Sequence, residues 1–223
     1  MKKITISSEK LKWFALLAMT MDHIDKIFLN TIWLSNTLGR TAFPLFSYLL
    51  ISHFATHQNT KKYIIRLTIF GLLTQLCLFQ YNTSNVLFTF LYAILFVALI
   101  EKACKITKSL LAQGYFAILF FLTLSPLILV ADYGLEGFLS LIALYAYFKQ
   151  QNKINYLAVL LSAISLNTGS SITAVCSGLA TIVLLLSFVK IKNTKRLTKW
   201  WFFYVYYPLH RAFLYSLKIL LGA

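Results

Sequence analysis

Apolar residues run along this chain in nine stretches, each closed by charged or turn-forming residues. They lie near 11–33, 38–56, 62–80, 85–100, 113–131, 134–148, 154–167, 171–189 and 200–221. A helix that crosses a bilayer needs about 20 apolar residues, and most of these runs reach that length. The runs at 85–100, 134–148 and 154–167 are short for a full crossing, which tilt or shelter by neighbouring helices accommodates. The pattern predicts an all-α polytopic membrane protein with about nine transmembrane helices in one bundle. No internal repeat, low-complexity tract or linker interrupts it, so residues 1–223 read as a single transmembrane domain.

The charges follow the same division. Lys2, Lys3, Lys10 and Lys12 precede the first run, and Lys61, Lys62 and Arg66 follow the second. Lys102, Lys105 and Lys108 follow the fourth, Lys149 and Lys153 the sixth, and Lys190, Lys192, Lys195, Arg196 and Lys199 the eighth. Only Lys26, Arg40, Arg211 and Lys218 fall elsewhere. Basic residues mark the cytoplasmic side, which places the N-terminus inside and the C-terminus outside.

The chain is 59% hydrophobic and 12% charged, against roughly 45–50% and about 25% in soluble domains. That excludes a water-soluble enzyme and a disordered chain. It also turns the net charge of +15 into topology and membrane-surface contact rather than a nucleic-acid footprint. The expected place is a membrane that borders the cytoplasm, crossed many times. Cys77, Cys104 and Cys176 stand singly in apolar stretches and are expected to be small buried apolar residues. The first run passes into Asp22-His23 without an A-x-A-like cleavage site, so Met1 is expected to be the true start and the first helix to be retained.

Several residues are costly inside a membrane. Asp22, His23, Asp25 and Lys26 lie within or just past the middle of the first run. A charge at a helix centre costs about 2.5–3.5 kcal/mol on insertion scales, so this face points into protein or water. The plain reading of Asp22 and Lys26 is an i,i+4 ion pair. His23 is harder to dismiss: it lies about 18 Å along the helix from Leu11 at 1.5 Å per residue. Adjacent helix residues diverge by about 100°, so Asp22 is poorly placed to orient the ring, and a partner from another helix is expected.

Arg40 opens the second run at its outer end and can approach Asp22 or Asp25 across the hairpin, while Pro44 frees the Arg40 carbonyl. His53, His57, Lys61, Lys62 and Arg66 gather at the cytoplasmic end, where Lys61 and Lys62 also suit plain membrane anchoring. Arg66 lies a turn inside the third run and has a planar fork suited to phosphate. Asp132-Tyr133-Gly134-Leu135-Glu136-Gly137 puts two acids on the outer side, as a turn with helix-starting acids or as a site for a cation or amine. In the last run Pro208 interrupts the helix ladder, and His210 lies about 15 Å from Trp200, at a depth similar to that of His23. The Trp and Tyr clusters around 200–207 suit an interface belt and packing.

There is no Walker A loop, G-x-G-x-x-G, H-E-x-x-H or G-x-S-x-G, and no Cys/His/carboxylate cluster at metal spacing. What remains is a set of segments in order: Leu11-Lys12-Trp13, Met19-Thr20-Met21-Asp22-His23-Ile24 and Gly39-Arg40-Thr41-Ala42-Phe43-Pro44-Leu45-Phe46. Lys61-Lys62-Tyr63-Ile64-Ile65-Arg66-Leu67, Asn85-Val86-Leu87-Phe88-Thr89, Asp132 to Gly137 and Tyr207-Pro208-Leu209-His210 complete it. Together, from residue 11 to about 215, they resemble the TraX family, known for acetylating the N-terminus of F-type conjugative pilin. Glu136 and Arg211 stand where that family favours apolar residues.

The resemblance implies kinship with larger integral-membrane acyltransferases, in which a cytoplasmic acyl-CoA donates to an acceptor reached from the other side and an intramembrane His takes part. The expected function is then an acetyltransferase using acetyl-CoA, with a pilin or other envelope amine or hydroxyl as acceptor and no nucleic acid as partner. Candidate catalytic residues are His23, Asp22 and His210. Candidate acetyl-CoA contacts are Arg66, Lys61, Lys62 and Arg40, with Lys195, Arg196 and Lys199 adding charge. Candidate acceptor contacts are Asp132, Tyr133 and Asn85, and no metal is expected. The alternatives are a small proton-coupled transporter, since Asp22, His23, Asp25 and Lys26 also look like a proton relay, and a non-enzymatic pilus or envelope assembly factor.

Overall fold

The computed structural model describes residues 3–31, 33–57, 59–77, 84–168, 170–192 and 198–221, the side chain of His57 excepted. Lys2, Lys195, Arg196 and residues 78–80 of the third predicted run lie outside that description. In chain order the elements are β1 (Ile4–Ser7), α1 (Ser8–Ile24), a π-helical turn (Asp25–Leu29), a second π-helical turn (Ser35–Gly39), α2 (Arg40–His57), α3 (Thr60–Cys77) and α4 (Val86–Ile106). They continue with α5 (Leu110–Leu129), α6 (Gly134–Lys149), α7 (Lys153–Ser165), α8 (Ile172–Phe188), β2 (Val189–Lys192) and α9 (Phe202–Leu221). The protein is all-α apart from the short pair of strands, and each predicted run coincides with a helix among the described residues.

Sequence-local chemistry fixes the helix ends. Ser7, Asn85, Ser109, Asn152 and Ser171 each cap a helix, the side-chain oxygen accepting a backbone N–H of the first turn. The run read as 85–100 belongs to a longer helix, α4, whose last turns carry Glu101, Lys102 and Lys105 out of the apolar stretch. By contrast α7 has 13 residues, about 20 Å of helix, shorter than the roughly 30 Å hydrocarbon core.

Among the described residues two helices, α4 and α5, are long and apolar enough to cross a membrane by length and composition. α5 buries almost none of its apolar surface, leaving Leu110, Leu111, Ile118 and Leu122 exposed. A helix that is apolar all round and uncovered is at home in hydrocarbon and not in water. The same setting corrects the expectation for the cysteines: Cys77, Cys104 and Cys176 are all exposed. A thiol is apolar enough to face lipid from an outer helix surface, so burial in protein is not required of it.

The chain forms two compact units, one from residues 1–55 and 143–223, the other from 56–142. In the first, β1 pairs in parallel with β2, Ile4 opposite Val189 and Ser7 opposite Lys192. Glu9, buried at the start of α1, accepts from Thr198 at 3.0 Å and pairs with Lys12 at 3.4 Å. Trp13 packs on Phe202 and Phe203, and further along Thr20 meets Tyr206. α1 and α9 therefore run in the same direction.

In the second unit α3, α4 and α5 pack in succession, and Phe138 of α6 contacts Phe96 and Phe121. Asn85 joins α3 to α4. Its Nδ2 donates to Gly71 O at 2.9 Å and to Gln75 Oε1 at 3.0 Å, while its Oδ1 accepts from Leu87 N. Asn85→Ala removes the cap and leaves a buried carbonyl with less to bond. It is expected to cost about 1–3 kcal/mol, measured as a lower unfolding midpoint in detergent.

Candidate functional site

The first unit assembles its polar groups where α1 ends. His23 is the penultimate residue of α1, about 22 Å along the helix from Ser8. His210 lies eight residues into α9. Because α1 and α9 run parallel and are held one turn earlier by Thr20 and Tyr206, the two imidazoles meet: His23 Nδ1 is 2.6 Å from His210 Nε2, and the rings stack with centroids 4.9 Å apart. His210 is buried, whereas His23 is only partly covered. Tyr207, also buried, stands 6.5 Å from the His23 ring and 6.0 Å from that of His210.

The acids beside this pair are engaged elsewhere. Asp22 accepts from Lys26 Nζ at 2.7 Å, the i,i+4 pair expected from the sequence, and from Ser35 Oγ at 2.5 Å. Asp25 is fully buried and gathers the loop that follows: its carboxylate accepts from Thr31 N at 3.1 Å, Thr31 Oγ1 at 2.5 Å and Ser35 N at 2.8 Å. The chain turns there through Asn30, which has a positive φ of 48°. Gly39 in the second π-helical turn lies directly against Asp22, and a Cβ at that position would collide with its carboxylate. The absence of a side chain is what lets the hairpin close.

Arg40, immediately after Gly39, donates from Nη2 to Ser170 Oγ at 2.6 Å, and its Nε is buried without a hydrogen bond among the described residues. Ser170 lies in the turn between α7 and α8, 130 residues away in sequence. No local signal could have named it.

The remaining predicted residues belong to the second unit. Lys61 and Lys62 are exposed in the first turn of α3, and Arg66 is half-buried about 6–7 Å further along it. Asp132 and Tyr133 sit in the turn between α5 and α6, which Gly134 closes with a φ of 51°. Asn85 has its side chain occupied by the α3–α4 junction. Among the described residues no three His, Cys, Asp or Glu side chains are grouped to hold a metal ion.

Four residues at the first site escaped the sequence reading: Thr20, Thr31, Ser35 and Tyr206. For Thr20 and Tyr206 a signal existed. Each lies one turn before a histidine, at i−3 or i−4, on the same helix face. Thr31 and Ser35 carry no signal of their own until the chain has folded back onto Asp25.

Comparison with known proteins adds the lineage. A family model described as TraX protein matches residues 7–218. The chain is 31% identical to "Protein TraX" of Escherichia coli, over 92% of this chain and 84% of that protein. It is 29% identical to "Probable fimbrial assembly protein FimC, serogroup H1" of Dichelobacter nodosus, over 99% of both chains. No solved structure matches.

Proposed function

The chain belongs to the TraX protein family, and from that membership we propose that it is a membrane-embedded acetyltransferase serving pilus or fimbria assembly. Acetyl-CoA is the donor and an amine or hydroxyl of a pilin or another envelope component is the acceptor. The observation that carries this reading is the His23–His210 pair, a partly accessible imidazole braced by a buried one, set deep along a membrane helix. The name of the Dichelobacter relative, a fimbrial assembly protein, supports the choice of acceptor.

The chemistry needs one base. An α-amino group, with a pKa near 7.7–8.0, reacts as neutral NH₂ after giving one proton to solvent and must lose a second as the amide forms, and a hydroxyl is a weak nucleophile until its proton is taken. The His23 imidazole takes the proton from the acceptor N–H or O–H as its lone pair attacks the thioester carbonyl carbon. The new C–N or C–O bond forms, the C–S bond breaks, and the thiolate of CoA leaves and takes the proton back. Histidine suits both halves because its unperturbed pKa lies near 6.5. Acetyl-CoA is strongly anionic, and Lys61, Lys62 and Arg66 are the proposed contacts for its phosphates. Asp22 and Asp25 hold the hairpin rather than the reactants.

Comparing intact masses of membrane and pilus proteins from cells with and without the gene tests the proposal. The expected result is a mass loss of one acetyl group on an envelope protein when the gene is absent. Unchanged masses, together with no turnover of acetyl-CoA by the purified protein, would favour a non-enzymatic assembly role.

A further inference from the structure

The hydrogen bonds around the histidine pair can be followed donor by donor. His210 Nδ1 lies 2.8 Å from the backbone carbonyl of Tyr206. A carbonyl oxygen only accepts, so His210 Nδ1 carries a hydrogen. The lone pair of neutral His210 is then on Nε2, which faces His23 Nδ1 at 2.6 Å. His23 Nδ1 must therefore be the donor, and its own lone pair is left on Nε2. The opposite arrangement would set the bare Nδ1 of His210 against a carbonyl oxygen, lone pair against lone pair. Protonating His23 does not alter the assignment, since its Nδ1 carries hydrogen in either state.

Tyr206 supplies more than its carbonyl. Its ring stacks on the His210 imidazole, with centroids 4.9 Å apart and planes 10° from parallel. Its hydroxyl lies 2.9 Å from Thr20 Oγ1, and the Thr20 hydroxyl hydrogen is directed to Leu16 O at 2.8 Å. Tyr206 is therefore the donor to Thr20. This contact joins α9 to α1 one turn before the histidines, on the faces that carry them.

We propose that Tyr206 is the positioning residue of the pair: its carbonyl accepts from His210 Nδ1 and its ring stacks the imidazole against that carbonyl, so His210 is held as its Nδ1–H tautomer, which makes Nε2 of His23 the atom that accepts the reactant's proton. The assignment goes beyond the acetyltransferase reading and holds whichever group is transferred. It also distinguishes a base from a wire. A proton taken at His23 Nε2 leaves a cation that donates through Nδ1 to His210. If the Nδ1 proton moves across, His210 becomes the cation. Beyond it stands the Tyr206 carbonyl, which accepts a hydrogen bond but cannot relay a proton. The pair stores one proton and returns it to the side from which it came, as group transfer requires and proton-coupled transport does not.

Nitrogen NMR of the full-length protein in lipid nanodiscs, with histidine rings labelled, tests this; the chain has only 4 histidines. His23 and His210 are assigned by the loss of signals in single His→Gln variants. Above the pH at which the pair titrates, both are expected as Nδ1–H tautomers, with a cross-peak between His23 Nδ1 and His210 Nε2. Free histidine in water favours the other tautomer, so the signature is distinctive. Tyr206→Phe keeps the stack and is expected to preserve it; Tyr206→Leu keeps the backbone carbonyl but loses the ring that holds the imidazole against it, and is expected to give mixed tautomers at His23. An Nε2–H tautomer at His23 in the wild-type protein overturns the proposal, and that spectrum decides even if Tyr206→Leu fails to fold. Tautomers unchanged in a folded Tyr206→Leu protein would remove Tyr206 from the role. If the tautomers are as expected and acetyl-CoA is not turned over, the acetyltransferase reading fails while this assignment stands.

Discussion

His23→Ala is expected to lower acetyl transfer by about 10²–10⁴-fold, the usual contribution of a general base, or about 3–5 kcal/mol in activation free energy. Fold and membrane insertion should be unchanged. The imidazole is partly exposed, and its one direct hydrogen-bonding partner among the described residues is the side chain of His210, so its loss leaves no helix cap or loop without support. His23→Gln separates shape from chemistry: its amide can still donate to His210 but cannot take a proton at neutral pH. Transfer by His23→Gln should be as low as by His23→Ala. Near wild-type turnover of acetyl-CoA by His23→Gln, measured with purified protein in nanodiscs, would remove His23 as the base. His210→Gln is expected to be less damaging to kcat than either, because a positioning residue acts through the base and not on the reactants.

How far this site could be read in the sequence depended on the range of the contacts that make it. Counting residues from the helix starts placed His23 and His210 at similar depth, because helix rise is constant and both spans begin at recognisable basic or aromatic boundaries. That the two rings touch required α1 and α9 to be neighbours, a contact 187 residues apart in sequence. The i,i+4 pair of Asp22 with Lys26 was legible because both residues lie on one helix face. Ser170 as the partner of Arg40 was not, for the same reason of distance.

Local structure failed where the pattern was too short to establish a period. The strands Ile4–Ser7 and Val189–Lys192 are four residues each, and the second continues an apolar helix without a turn signal. The π-helical turns at Asp25–Leu29 and Ser35–Gly39 left no compositional mark. They arise where side chains compete with the helix ladder for backbone donors, which π-bulges near functional sites commonly reflect.

Asp25 should be the most sensitive position of that hairpin for stability. Its carboxylate is fully buried and accepts two backbone N–H groups, from Thr31 and Ser35, and the Thr31 hydroxyl. Asp25→Ala removes three acceptor contacts at once and leaves two backbone donors without their partner. A buried donor left unsatisfied costs about 1–3 kcal/mol, so a loss of about 2–5 kcal/mol is expected, seen as a lower unfolding midpoint in detergent. Asp25→Asn keeps the volume and one acceptor oxygen, yet turns an NH₂ group toward at least one of the N–H donors the carboxylate had satisfied, so it should recover little. Asp22→Asn is the contrasting case. It keeps an acceptor for Ser35 and gives up an ion pair with the exposed Lys26, a kind of pair that contributes about 0–1 kcal/mol. Asp25→Ala melting with the wild-type protein would show that the hairpin is held by packing alone. If instead Asp25→Ala lowers both stability and acetyl transfer while Asp22→Asn lowers neither, the hairpin supports the site by holding the end of α1, where His23 sits, and neither acid takes part in the chemistry.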